Sequence, residues 1–216
     1  MALPSPARAL LLDMDGLMVD SEPLWWRVEH ALAAEHGLAW TDELASQCTG
    51  QGLASAITRM RREIGLEVTV EEGVRWLVAA FLTRLDELSL MPGCGELLDA
   101  ARAASIPLAV ASSSTRPLID GVLRRFSLAP RFHAIVSGED VARPKPAPDI
   151  FARAAESLAV DPSSAVVLED SVAGVTASVA AGIPVIAVPE RDRGAFAPLT
   201  PYVVSDLFEA RTLLGL

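Results

Sequence analysis

The chain has 216 residues, 51% of them hydrophobic, and a formal charge of -10 from 18 Lys and Arg against 28 Asp and Glu. That apolar content can bury a sizeable core and excludes a disordered chain, while the net negative charge excludes a broad nucleic-acid or anionic-membrane surface, because both depend on accumulated cations. An anionic ligand would have to be held by a few local groups.

The first apolar run, residues 9–12, stops at Asp13 and is followed by Asp15 and Gly16 in the stretch LLLDMDGLMVDSE. It is too short for a signal h-region, acids follow it at once, and no run reaches the ~18 apolar residues of a membrane helix, so a cytoplasmic protein with no membrane partner is expected. From residue 23 the pattern turns helical, over 23–34, 53–64 and 70–88, the last opening with a capping box from Thr69 to Glu72. Residues 20–90 therefore read as an all-helical insertion, with hinges near 19–22 and 89–93, in a domain made of residues 1–19 and 91–216. In that domain, apolar runs at 108–111, 134–136, 165–168, 185–188 and 202–204 alternate with helical patterns at 95–104, 117–126, 149–158 and 172–181. Apolar runs without polar alternation, separated by helices, predict an α/β fold with a Rossmann-like, doubly wound parallel sheet. Cys48 and Cys94 lack CxxC spacing and read as small buried residues, and His30, His36 and His133 read as structural.

In an open parallel sheet, ligands bind beyond the carboxyl ends of the strands. Four predicted strands end there in polar groups: Asp13, Ser112, Ser137 and the pair Glu169–Asp170. The loop after the third carries Lys145, the one lysine in a chain that writes its other cations as arginine. A compact, flexible ammonium is required at few kinds of site. Asp13, Asp15 and Asp170 could not share a cleft as anions without a compensating cation. Mg²⁺ suits them best, being satisfied by a couple of carboxylates, a carbonyl, waters and a phosphate oxygen. Lys145 adds a second positive group, and Ser112 with the backbone N–H groups of the following helix can donate to phosphate oxygens.

These residues carry a family resemblance. DMDGLMVDSE, ASSS, RPKPAPDIF and VVLEDSVAGV resemble, in order, the four motifs of the haloacid dehalogenase superfamily, and the likeness spans essentially the whole chain. With its helical insertion the chain is similar to the small-cap sugar-phosphate phosphatases, of the 2-deoxyglucose-6-phosphate phosphatase and beta-phosphoglucomutase-like kinds. The resemblance implies Mg²⁺-dependent phosphoryl transfer through an aspartyl-phosphate. It makes Asp13 the nucleophile and Asp15 the acid and base, whose main-chain carbonyl binds metal; Gly16 permits the tight turn there. Ser112 and Ser113 would hold the phosphoryl group, Lys145 would neutralise it together with Asp13, Asp170 would bind Mg²⁺ directly, and Glu169 directly or through water.

Outside the motifs, Asp20 and Glu22 read either as groups that orient the hinge or as solvated helix-start acids. Arg116 reads either as a substrate contact or as a surface arginine, and Trp25 or Trp26 as a ligand-facing ring. The expected reaction is hydrolysis of a small phosphorylated metabolite, a sugar phosphate, by a monomer or weak homodimer that binds no nucleic acid. The alternatives are a beta-phosphoglucomutase-like mutase and a phosphoglycolate phosphatase-like activity. Mutases of this resemblance place a histidine early in the first cap helix and cationic residues deeper in the cap. Here those positions are Trp25 and Leu53, the latter in TGQGLAS, the cap has no lysine, and Arg59, Arg61 and Arg62 read as a solvated face.

Overall fold

The computed structural model describes residues 1–48 and 52–216, which divide into two compact units, Met1–Asp20 with Leu90–Leu216, and Ser21–Ser89. Strand β1 (Ala9–Leu12) is buried at every position, and β2 (Val19–Asp20) follows it. Then come α1 (Glu22–Glu35), α2 (Asp42–Ser46), α3 (Leu53–Glu63) and α4 (Val70–Leu82), before β3 (Ser89–Leu90), which pairs with β2. The remainder alternates: α5 (Cys94–Ala103), β4 (Leu108–Ser112), α6 (Arg116–Arg125), β5 (Ala134–Ser137), α7 (Asp149–Ser157), β6 (Ala165–Glu169), α8 (Val172–Ala180), β7 (Val185–Ala187) and α9 (Leu207–Leu213).

In the first unit the sheet order is β5-β4-β1-β6-β7, every pairing is parallel, and β1 is central. The expected parallel α/β sheet is therefore present. Leu10 pairs with both Leu108 and Val166, and the consecutive residues Ala9, Leu10, Leu11 and Leu12 are all fully buried, so the uniformly apolar central strand buries both faces. On one face Leu11, Ala109, Ala111 and Val167 pack with Ile150, Phe151 and Ala154 of α7 and with Val175 and Ala177 of α8. Because the strands run the same way, Asp13, Ser112, Ser137 and Glu169 all come to one edge.

In the second unit, the capping box at Thr69 and Glu72 is formed. The Trp25 ring stacks on Phe81, with centroids 4.0 Å apart. Glu29, almost fully buried on α1, accepts a hydrogen bond of 3.0 Å from Trp40 Nε1, and its carboxyl is raised by burial to about 7. His30 pairs with Asp42 at 2.9 Å, the His36 ring contacts the Leu32 carbonyl, and in the other unit the Leu108 N–H donates to the His133 ring. Cys48 and Cys94 are free and buried.

Two expected elements differ. Residues 202–204 form a single bridge, Val203 to Ala187, rather than a strand: the Tyr202 N–H is taken by Thr200 Oγ1, and α9 follows almost at once, its N-cap Asp206 accepting from the Glu209 N–H. The helix expected over 70–88 stops at Leu82, where Thr83 Oγ1 donates back to the Ala80 carbonyl, and a 3₁₀ turn over Leu85–Glu87 follows. The apolar spacing continues through Leu85 and Leu88 without Gly or Pro, so the sequence shows no stop. Within TGQGLAS, Thr49, Gly50 and Gln51 lie outside the described residues, and Leu53 opens α3.

Candidate active site

Lys145 is the centre of the polar edge. Its Nζ donates to Asp13 Oδ1 at 2.5 Å and to Glu169 Oε1 at 2.6 Å, and all three side chains are less than a tenth exposed. The ammonium also lies 4.8 Å from the centre of the buried Phe151 ring, so its stem and charge are fixed by α7 as well as by the carboxylates. Burial alone would push Lys145 down, but Asp13 and Glu169 outweigh it and hold the group above the usual lysine range. Burial raises the Asp13 carboxyl to about 7 against the pull of Lys145, with Glu169 adding to the rise. Asp170 is raised well above the usual carboxylate range by burial, then by Glu169 and Asp13.

Those directions describe a site with too few positive charges. Carboxylate oxygens of Asp13, Glu169 and Asp170 lie within 4.8 Å of one another, and one ammonium cannot neutralise three carboxylates. The donor set is all oxygen, so the residues present fit a hard divalent cation. Glu169 is the most committed of the three: Oε1 is held by Lys145, and Oε2 accepts from the Ser171 N–H at 2.7 Å and from Ser171 Oγ at 2.9 Å. Its carboxyl is pressed so closely on α8 that a Cβ at Gly174 would stand 1.8 Å from Oε1. Gly16, at φ +77°, is required twice over, since a Cβ there would also stand 2.3 Å from an Asp170 oxygen.

The Asp15 carboxyl is not one of the three that converge. Its Oδ2 instead accepts from Ser114 Oγ at 2.7 Å. Ser112 is buried at the end of β4, its Oγ accepting from the Ser114 N–H at 3.1 Å, and Ser113 is exposed beside it. The Arg116 side chain is not brought to the cluster. Its guanidinium pairs with Asp120 one turn along α6 at 2.9 Å, half exposed, and its backbone N–H donates to Glu139. Trp25 belongs to the helical unit, against Phe81. Sequence reasoning missed Ser114, Ser171 and Gly174. For Ser171 a signal existed, a serine three residues before Gly174 at a helix start, where it caps the Gly174 N–H at 3.0 Å. Nothing in ASSS distinguishes the third serine from the first two.

Comparison with known proteins agrees with this architecture. A family model described as haloacid dehalogenase-like hydrolase matches residues 10–188. The chain is 33% identical over 193 residues to hexitol phosphatase B of Escherichia coli (strain K12), covering 88% of this chain and 86% of that one. It is 30% identical to the bifunctional riboflavin kinase/FMN phosphatase of Arabidopsis thaliana over 83% of this chain, which spans 48% of that longer protein. Among solved structures, CbbY from Rhodobacter sphaeroides in complex with phosphate superposes with a TM-score of 0.86 at 28% identity, covering 97% of this chain and 100% of that one.

Proposed function

The chain belongs to the haloacid dehalogenase-like hydrolase family, as an enzyme of its phosphatase kind, and from that premise we propose that it hydrolyses small sugar or polyol phosphates through a phosphorylated Asp13. The observation that carries this reading is the buried Lys145, shared between Asp13 and Glu169 at the carboxyl edge of the sheet. The Asp13 carboxylate attacks phosphorus, the bond to the ester oxygen breaks, and that oxygen takes a proton from Asp15. Water then attacks the same phosphorus while Asp15 removes its proton, the bond to Asp13 breaks, and phosphate leaves. Ser112, Ser113 and Lys145 hold the transferred group. Asp13, Asp170 and the main-chain carbonyl of Asp15 would hold Mg²⁺, with Glu169 behind them, and the bound ion would offset negative charge where an anionic ester meets an anionic nucleophile.

The relative named hexitol phosphatase B supports a phosphorylated carbohydrate as the substrate class. Trp25, its ring fixed on Phe81, is the candidate for the apolar face of such a carbohydrate. The test is phosphate release from a panel of hexose, hexitol and deoxyhexose phosphates, phosphoglycolate and nucleoside monophosphates, with Mg²⁺ and with chelator. Turnover that needs Mg²⁺ and favours the carbohydrate esters is expected. Equal turnover in chelator, or preference for a nucleotide, would overturn the corresponding half of the reading.

A further inference from the structure

Asp15 has to be held in place, and the structure shows what holds it. Its backbone is fixed by the turn in which the Gly16 N–H donates to the Val19 carbonyl at 2.9 Å and Asp15 bridges Val19. Its carboxyl oxygen Oδ2 accepts from Ser114 Oγ at 2.7 Å, a bond that ties the loop after β1 to the loop after β4. Ser114 is itself anchored from both sides. Its N–H donates to the buried Ser112 Oγ at 3.1 Å, and its carbonyl accepts from the Gly138 N–H at 3.3 Å. A Cβ at Gly138 would meet the Ser113 carbonyl at 2.6 Å, so the loop after β5 lies directly against this segment and leaves it little room to shift.

We propose that Ser114 is a positioning residue for Asp15: its hydroxyl holds Oδ2 and so fixes the orientation of the carboxyl that exchanges a proton with the ester oxygen and with water. This rests on the reading of Asp15 as acid and base. A carboxyl on a short side chain turns freely about its last bond, and a donor on one oxygen converts that rotor into a group with a defined orientation. The hydroxyl keeps this role in both half-reactions, because a carboxyl oxygen can accept from Ser114 whether or not the carboxyl is protonated.

Leaving-group dependence tests it. An alkyl oxygen, as in sorbitol 6-phosphate, needs the Asp15 proton to depart, whereas p-nitrophenolate leaves unaided. In single turnovers with Mg²⁺, Ser114→Ala should slow alcohol release by at least about tenfold, a part of the 10²–10⁴ that general acid catalysis supplies. With p-nitrophenyl phosphate in excess, release of p-nitrophenol should stay within about twofold and be followed by slow hydrolysis of the phosphoenzyme, seen as a burst, so that KM for this ester falls while KM for the alkyl ester changes little. Ser114→Thr keeps the hydroxyl and should restore alcohol release. Ser114→Cys, close in size but a poor donor, should behave as alanine does and removes packing loss as a cause. Equal slowing for both esters, a rise in KM alone, or no change would overturn the proposal. Asp15→Asn separates the two readings: if it releases sorbitol at the wild-type rate, Asp15 is not the acid. If Asp15→Asn is slow and Ser114→Ala is not, the positioning role alone fails.

Discussion

Glu29 offers a quantitative test of the helical unit. Its carboxyl is buried on α1 with Trp40 Nε1 as a donor, and burial raises it from an ordinary 4.5 to about 7. A carboxyl raised in the folded state favours folding most below its unfolded value, and that contribution is lost as pH rises from about 4.5 to about 7. At 1.36 kcal/mol per pH unit, the wild type gives up about 3 kcal/mol across that window. Glu29→Gln keeps an acceptor for Trp40 and removes the proton dependence. The stability advantage of the variant, from urea unfolding followed by tryptophan fluorescence, should grow by about 2–3 kcal/mol between pH 5 and pH 8 and level off above that. Amide exchange along α1 should report the same dependence. An advantage that is the same at both pH values would refute the reasoning, since it would mean that Glu29 titrates alike in the folded and unfolded chains.

Three further outcomes follow from the core. Lys145→Arg keeps the charge but puts a planar fork where an ammonium is shared between Asp13 and Glu169 over the Phe151 ring, and turnover should fall by about 10²-fold or more; near-normal kinetics would contradict the packing argument. Gly174→Ala would place a Cβ 1.8 Å from the Glu169 carboxyl, so it should cost about 1–3 kcal/mol in urea unfolding and lower Mg²⁺ affinity measured by calorimetry; wild-type values in both would remove Gly174 from the account. Arg116→Ala, which breaks only a half-exposed pair with Asp120, should change kcat/KM less than about twofold, and a large loss would restore Arg116 as a substrate contact.

The sheet was legible because its strands are buried on both faces. Leu10, Leu11 and Leu12, and Val166, Val167 and Leu168, leave no alternation to misread, and each run ends at a carboxylate or hydroxyl where the core stops. Asp13, Ser112, Glu169 and Asp170 could be named for that reason, since in a parallel sheet the strand ends lie at one edge, and Lys145 could be named as the one lysine of the chain. What stayed hidden depends on contacts far apart in the chain. The bond from Ser114 to Asp15 joins residues 99 apart, and the pairing of Arg116 with Asp120 was one of several rotamers open to a helix-start arginine. The end of α4 at Leu82 rests on one hydroxyl turning back to a carbonyl, which composition does not reveal. Elements of two to seven residues, β2, β3, α2 and α9, are too short for periodicity to register.

In the proposed reaction Asp13 attacks a carbohydrate phosphate, and water, rather than sugar, receives the phosphoryl group. Phosphorus NMR of sorbitol 6-phosphate and of beta-glucose 1-phosphate incubated with Mg²⁺ and either wild-type protein or Asp13→Asn tests it directly. Inorganic phosphate should be the growing signal with the wild type, no isomerised sugar phosphate should accumulate, and Asp13→Asn, folded but without its attacking charge, should leave the esters intact. Glucose 6-phosphate appearing from beta-glucose 1-phosphate faster than free phosphate, or appreciable hydrolysis by Asp13→Asn, would contradict the account.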